Sequence, residues 1–121
     1  MKRPLPRRLA AERRGHKGEA VAALWLQLKG WRILARRLRT PVGEIDLVAR
    51  RGRTVAFVEV KARARAAEAD LALDRQRLRR VAAAANAVLA RYARPGDISR
   101  IDALFIVPRR WPRHVSDVWQ G

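Results

Sequence analysis

The chain has 121 residues, is 49% hydrophobic and carries a formal net charge of +17 from 28 Lys and Arg against 11 Asp and Glu. That length suits one folded domain rather than two, and the apolar content excludes an unstructured chain. It has no cysteine, which rules out disulfides, thiolate nucleophiles and zinc–thiolate centres. Two histidines, His16 and His114, are too few for a multi-histidine metal site.

In chain order, residues 1–14 are rich in Pro and Arg and read as a flexible basic arm, leaving 15–121 as the single domain. Residues 1–39 alone hold twelve Lys and Arg against Glu12 and Glu19. A polyanionic partner is the expectation, because each neutralised phosphate releases condensed counterions. The longest early apolar run, Ala20 to Leu26, is far too short for a membrane span, which takes about 20 residues, and the N-terminus has no signal-peptide apolar core. A cytoplasmic protein with no membrane partner is expected.

From Glu19 to Lys29 the spacing predicts a helix with two apolar stripes. Val21, Leu24, Trp25 and Leu28 form one, and Ala22, Ala23 and Leu26 the other. A helix apolar nearly all round is expected to be buried, and Gly30 ends it. Trp31 to Arg37 alternates as a first strand, and Thr40-Pro41-Val42-Gly43 is a turn. Glu44–Ala49 and Thr54–Ala62 predict a hairpin around Arg50-Arg51-Gly52-Arg53. A charged loop over 63–70 leads to an amphipathic helix from about Leu71 to Arg91, with Arg75, Arg79 and Arg80 extending from its first half. A strand over Arg100–Val107 and a short edge strand within His114–Trp119 complete the chain. The order, αβββαβ with an optional last strand, predicts an α/β domain around a central mixed sheet flanked by helices.

The informative residues lie in the hairpin. In Thr54–Ala62, Val55, Phe57, Glu59 and Lys61 share one face and Ala56, Val58, Val60 and Ala62 the other. Both faces begin apolar, so this is a central strand whose first face turns to Glu and Lys as it leaves the core. A tight turn at Arg51-Gly52 makes Asp46 and Glu59 diagonal neighbours about 7 Å apart. A turn two residues longer places them directly opposite, and a one-residue slip sets Asp46 across from Val58 and separates them. Two carboxylates so close call for a cation between them. Mg²⁺ (or Mn²⁺), which takes one or two carboxylates plus waters and phosphate oxygens, suits the pair. Lys61 is then placed to hydrogen-bond an attacking water or the phosphate. Glu19, at the start of the first helix, is a further acid within reach of the ion.

Asp46 followed by Glu59-x-Lys61 on the next strand of such a core resembles the PD-(D/E)xK nuclease superfamily, which includes restriction enzymes and Holliday-junction resolvases. More closely, Gly15-x-x-Gly18-Glu19, Gly30-Trp31-Arg32-Ile33-Leu34, Gly43-Glu44-Ile45-Asp46-Leu47-Val48, Phe57-Val58-Glu59-Val60-Lys61-x-Arg63 and Arg100-x-Asp102 are similar to the bacterial YraN family of uncharacterised proteins. The resemblance spans about Gly15 to Val107. It implies a restriction-endonuclease-like core, with Asp46, Glu59 and Glu19 as metal ligands and Lys61 as the catalytic lysine. Ile45 stands in place of the superfamily's Pro, Arg37 where the family usually has Asn, and Arg75 where it usually has Lys. Arg100 and Asp102 are expected to form a structural ion pair.

The function these features imply is a metal-dependent endonuclease hydrolysing phosphodiester bonds in DNA, branched DNA included. Arg36, Arg37, Arg39, Arg63, Arg75 and Arg79 are the candidate nucleic-acid contacts. A homodimer would suit a two-stranded or branched substrate. The alternative is a nucleic-acid-binding module on a nuclease fold, with little or no cleavage.

Overall fold

The computed structural model describes the backbone of residues 7–63 and 75–120 and the side chains of 18–63 and 75–120. Its elements are α1 (Arg7–Leu28), β1 (Arg32–Thr40), β2 (Gly43–Arg51), β3 (Thr54–Ala62), α2 (Arg75–Tyr92), β4 (Ile98–Ile106) and β5 (Arg113–Val115). The strands form one sheet in the order β1-β2-β3-β4-β5. β3 and β4 run parallel and the other pairs antiparallel. A parallel pair needs a crossover, and the segment containing α2 supplies it. This is the α/β architecture with a mixed central sheet that the sequence predicts. The loop expected over 63–70 and the first turn expected for the second helix fall largely outside the described residues.

Each face of the sheet carries one helix. Ala22, Ala23 and Leu26 of α1 pack on Leu47, Ala49, Ala56, Val58 and Leu104, with Trp31 closing the end. Leu78, Val81, Ala84, Ala85 and Val88 of α2 pack on Ile45, Val48, Val55, Phe57 and Ile101. β3 is buried on both faces, as a central strand must be. α1 differs from expectation in two ways. It begins at Arg7 rather than Glu19. Of its two apolar stripes only Ala22–Ala23–Leu26 is buried, while Val21, Leu24 and Leu28 are exposed by 39%, 58% and 73%. The reason is geometric: one sheet face contacts one side of a helix, and no described element covers the other.

α1 sits close to the sheet at Gly18. A Cβ built there would lie 2.6 Å from the Cβ of Ala62, so the absence of a side chain sets the approach. At the opposite end of the sheet, Arg50 Nη2 donates to Asp97 Oδ2 (2.6 Å) and to the Tyr92 carbonyl (3.0 Å), fixing the end of α2 to the hairpin. On β4 the fully buried Asp102 accepts from Arg100 Nε (2.9 Å) and the Asp117 N–H (2.9 Å), with His114 Nε2 at 2.7 Å. Burial works to raise the Asp102 pKa. The hydrogen bonds from His114, Asp117 and Arg100 outweigh it and hold the carboxyl below its ordinary value. Arg100–Asp102 is therefore a structural pair that ties β5 and the following segment to the sheet. Its third partner, His114, was not evident from sequence.

Candidate functional site

The hairpin register decides the site. Arg50 pairs with Val55, and Arg51 with Thr54 closes the turn over Gly52-Arg53, where Gly52 takes φ +61. The regular ladder ends at Leu47–Val58, and by count Asp46 falls one step beyond it, level with Glu59. The register equals that of the longer turn but is reached by a two-residue turn set one position along, and it brings the Asp46 and Glu59 carboxylates close enough for their charges to interact. The Val60 N–H donates to Asp46 Oδ2 at 2.8 Å, so the backbone of β3 itself orients the aspartate.

Strict alternation would put Ile45 on the same face as Leu47. Instead Ile45 and Val48 both pack towards α2, while Leu47 and Ala49 face α1. The alternation of β2 thus breaks at Asp46. The partner strand breaks at the matching place: Arg37 lies between the Arg36–Leu47 and Leu38–Ile45 pairs and has φ +50. Consecutive strand residues normally point to opposite faces. Here Arg36 Nε and Arg37 Nε both reach Glu19, donating to Oε1 at 3.2 Å and Oε2 at 2.7 Å.

Glu59 is 1% exposed, Glu19 4% and Lys61 6%. Lys61 Nζ lies 3.5 Å from Glu59 Oε1, and Arg77 of α2 donates to the same oxygen. Burial, then the charge of Glu59, raises the Asp46 pKa from 3.8 to about 7, against the Val60 N–H and Arg77. Burial also lowers Lys61 below the ordinary lysine value, against the pull of Glu59. Four ionisable side chains from α1, β2 and β3, with arginines from β1 and α2, therefore converge where β3 leaves the core.

Asp46, Glu59 and Lys61 stand together as expected, and Glu19 approaches Asp46 from α1. Arg36 and Arg37 reach this centre through Glu19, half exposed. Arg39 is exposed and lies across the ladder from Glu44, nearer the β1–β2 turn. Arg63 follows β3, its N–H donating to Ile106 O. Arg79 is exposed on α2, and Arg75 at the head of that helix lies over the Trp119 ring at 5.3 Å. Arg77 was missed. A signal existed, because Arg77 stands one helical turn before Val81 and in line with the Val81, Ala84 and Val88 row that α2 buries.

Among the described residues no group of three or more His, Cys, Asp or Glu is assembled to hold a metal. Both oxygens of Glu19 are turned to arginines. The neighbouring pair of Asp46 and Glu59 still fits a hard cation, since Mg²⁺ needs only one or two carboxylates beside waters and phosphate. A divalent ion there would relieve the repulsion that raises Asp46.

A family model described as "Uncharacterised protein family UPF0102" matches residues 18–106, which include all four ionisable residues of the site. A UPF0102 protein of Sphingopyxis alaskensis is 64% identical over 113 residues, 93% of this chain and 97% of that one. UPF0102 proteins of Erythrobacter litoralis and Rhizorhabdus wittichii are each 56% identical, over 94% and 95% of this chain and 98% of theirs.

Proposed function

The chain belongs to the UPF0102 (YraN) family, and from the site it carries we propose that it is a metal-dependent endonuclease hydrolysing phosphodiester bonds in DNA. One observation carries this reading: Asp46, held by the Val60 N–H, and Glu59 stand as neighbours on adjacent strands where their ladder ends, with Lys61 3.5 Å from Glu59 on the same face of β3. A protein that only held nucleic acid would have no use for carboxylates directed at phosphate.

Asp46 and Glu59 would hold Mg²⁺ or Mn²⁺, whose chemistry when bound is to polarise the scissile phosphate and lower the pKa of an attacking water. The Val60 N–H holds Asp46 in place for that role. Lys61 donates a hydrogen bond to the water or to a phosphate oxygen, where its charge offsets what accumulates in the transition state. Arg36, Arg37 and Arg77 are 49%, 48% and 56% exposed at their side chains, so each can offer N–H donors to the sugar–phosphate chain while it buttresses an acid. Glu19 positions Arg36 and Arg37.

A second reading, a DNA-binding module without cleavage, is favoured by those same arginines. With Arg77 on Glu59 and both Arg36 and Arg37 on Glu19, two of the three acids already have cationic partners without an ion.

Incubation of the full chain with labelled four-way junction, flap, single-stranded and duplex DNA, with Mg²⁺ or Mn²⁺, separates the two. Metal-dependent cutting that disappears in both Asp46→Asn and Lys61→Ala is the expected outcome. Salt-sensitive binding with no cutting above the level of these variants would leave the binding module.

A further inference from the structure

Among the described residues, the outer face of α1 carries an exposed apolar surface of unusual composition. Val21, Leu24, Trp25 and Leu28 follow one another at helical spacing, and Leu24 and Leu28 are more than half exposed. Trp111 is 83% exposed and lies against Trp25, with ring centroids 5.7 Å apart at 40°. Contiguous exposed apolar side chains rimmed by polar ones mark an interaction surface.

The position of Trp111 is built. Beyond β4 the chain reverses at Arg109 (φ +65), the Arg110 N–H donates to Val107 O at 3.2 Å, and Trp111 is laid back on α1. A non-glycine residue in that region costs on the order of 1–3 kcal/mol and persists only where its surroundings enforce it. Cations surround the rings: Lys29 Nζ sits 4.7 Å above Trp25, and Arg109 and Arg110 precede Trp111, both exposed.

We infer that Trp25 and Trp111 form a stacking platform for the bases of single-stranded nucleic acid that enters or leaves the carboxylate site. The inference rests on the reading that a phosphodiester chain approaches this protein. Charge complementarity selects the occupant. A molecule of net charge +17 with cations beside two exposed indoles matches an anionic chain of flat aromatic bases. A second copy would bring another +17 onto the same patch. The location agrees. The loop bearing Trp111 leaves the carboxyl end of β4, where Arg63 N–H, just past Lys61, donates to Ile106 O. Trp25 lies six residues after Glu19 on α1, about 9 Å along the helix axis, the rise of roughly three stacked nucleotides. Substrates with an unpaired arm, such as flaps, splayed junctions and single-stranded gaps, are the class this surface selects.

Fluorescence anisotropy with labelled oligo(dT) and labelled blunt duplex, in EDTA, tests the platform independently of cleavage. Trp111→Ala is expected to weaken oligo(dT) binding by roughly 5- to 100-fold, the effect of losing one stacked base. Duplex binding should change by less than about twofold, and Trp111→Phe should restore part of the loss. Equal losses on both ligands, or no loss on either, would overturn the inference and leave the stripe to an apolar protein partner. Self-association of the wild type that Leu24→Glu abolishes would likewise overturn it, as an interface between copies. Trp111-dependent oligo(dT) binding without any cleavage would sustain the platform while removing the nuclease reading.

Discussion

Asp46 is the residue on which chemistry and stability meet. Its ordinary pKa of 3.8 is raised to about 7 by burial and by Glu59. Between those values the folded protein holds a proton that the unfolded chain has released. Unfolding free energy therefore falls as pH rises from about 4 to about 7, then levels. Discounted for the solvent that still reaches this side chain, the shift corresponds to on the order of 2 kcal/mol. Asp46→Asn keeps an oxygen for the Val60 N–H and has no proton to lose. Urea denaturation should find it more stable than wild type at pH 8 by about that amount, with the difference closing towards pH 4. A difference constant across that range would mean that Asp46 titrates normally. The acids themselves were legible in the sequence, because carboxylates and a lysine inside Val- and Phe-rich strands are hard to place otherwise. The convergence of Arg36 and Arg37 on Glu19 was not. It depends on the φ of Arg37, and strand periodicity predicts that neighbouring side chains diverge.

Among the elements, α1 does the most to shape the site, because it carries Glu19 and approaches β3 at Gly18. Gly18→Ala is a sharp probe of that approach. In an unconstrained helix interior the change stabilises by about 1 kcal/mol. Here the added methyl meets Ala62 at 2.6 Å, so thermal or urea denaturation should show a loss of about 1–3 kcal/mol. A gain would mean that α1 does not dock so closely. The sequence disclosed the order of elements and the central place of β3 through apolar periodicity and turn residues. It misjudged the outer face of α1, since periodicity counts apolar stripes but says nothing of how many neighbours a small domain has to cover them. The hairpin register stayed open for a related reason. Arg50-Arg51-Gly52-Arg53 admits more than one turn, and apolar alternation alone does not choose among them, since Val48 packs as well beside Val55 as beside Phe57 under α2.

For the molecule as a whole, the charge of +17 dominates any encounter. If six or more phosphates are neutralised on binding, affinity for any nucleic acid should fall on the order of 10³-fold between about 50 and 200 mM salt. A titration of Kd against salt concentration reads the number of contacts from its slope, and a shallow slope would confine the interaction to a few arginines. Among the described residues no helix is long and apolar enough to cross a membrane.

The placement of β1 gives its arginines a further consequence. β1 is an edge strand nine residues long, and among the described residues its far side has no neighbour in the sheet. An open edge of that length is a template on which a second chain can add, and so a route to aggregation. Arg32, Arg36, Arg37 and Arg39 are exposed along it, and Arg37 bends it out of regular extension. Like charges and a kink are the devices by which proteins keep such edges from recruiting one another. The opposite edge, β5, achieves the same by being only three residues long. The guanidinium groups that invite a polyanion thus also keep the sheet from growing.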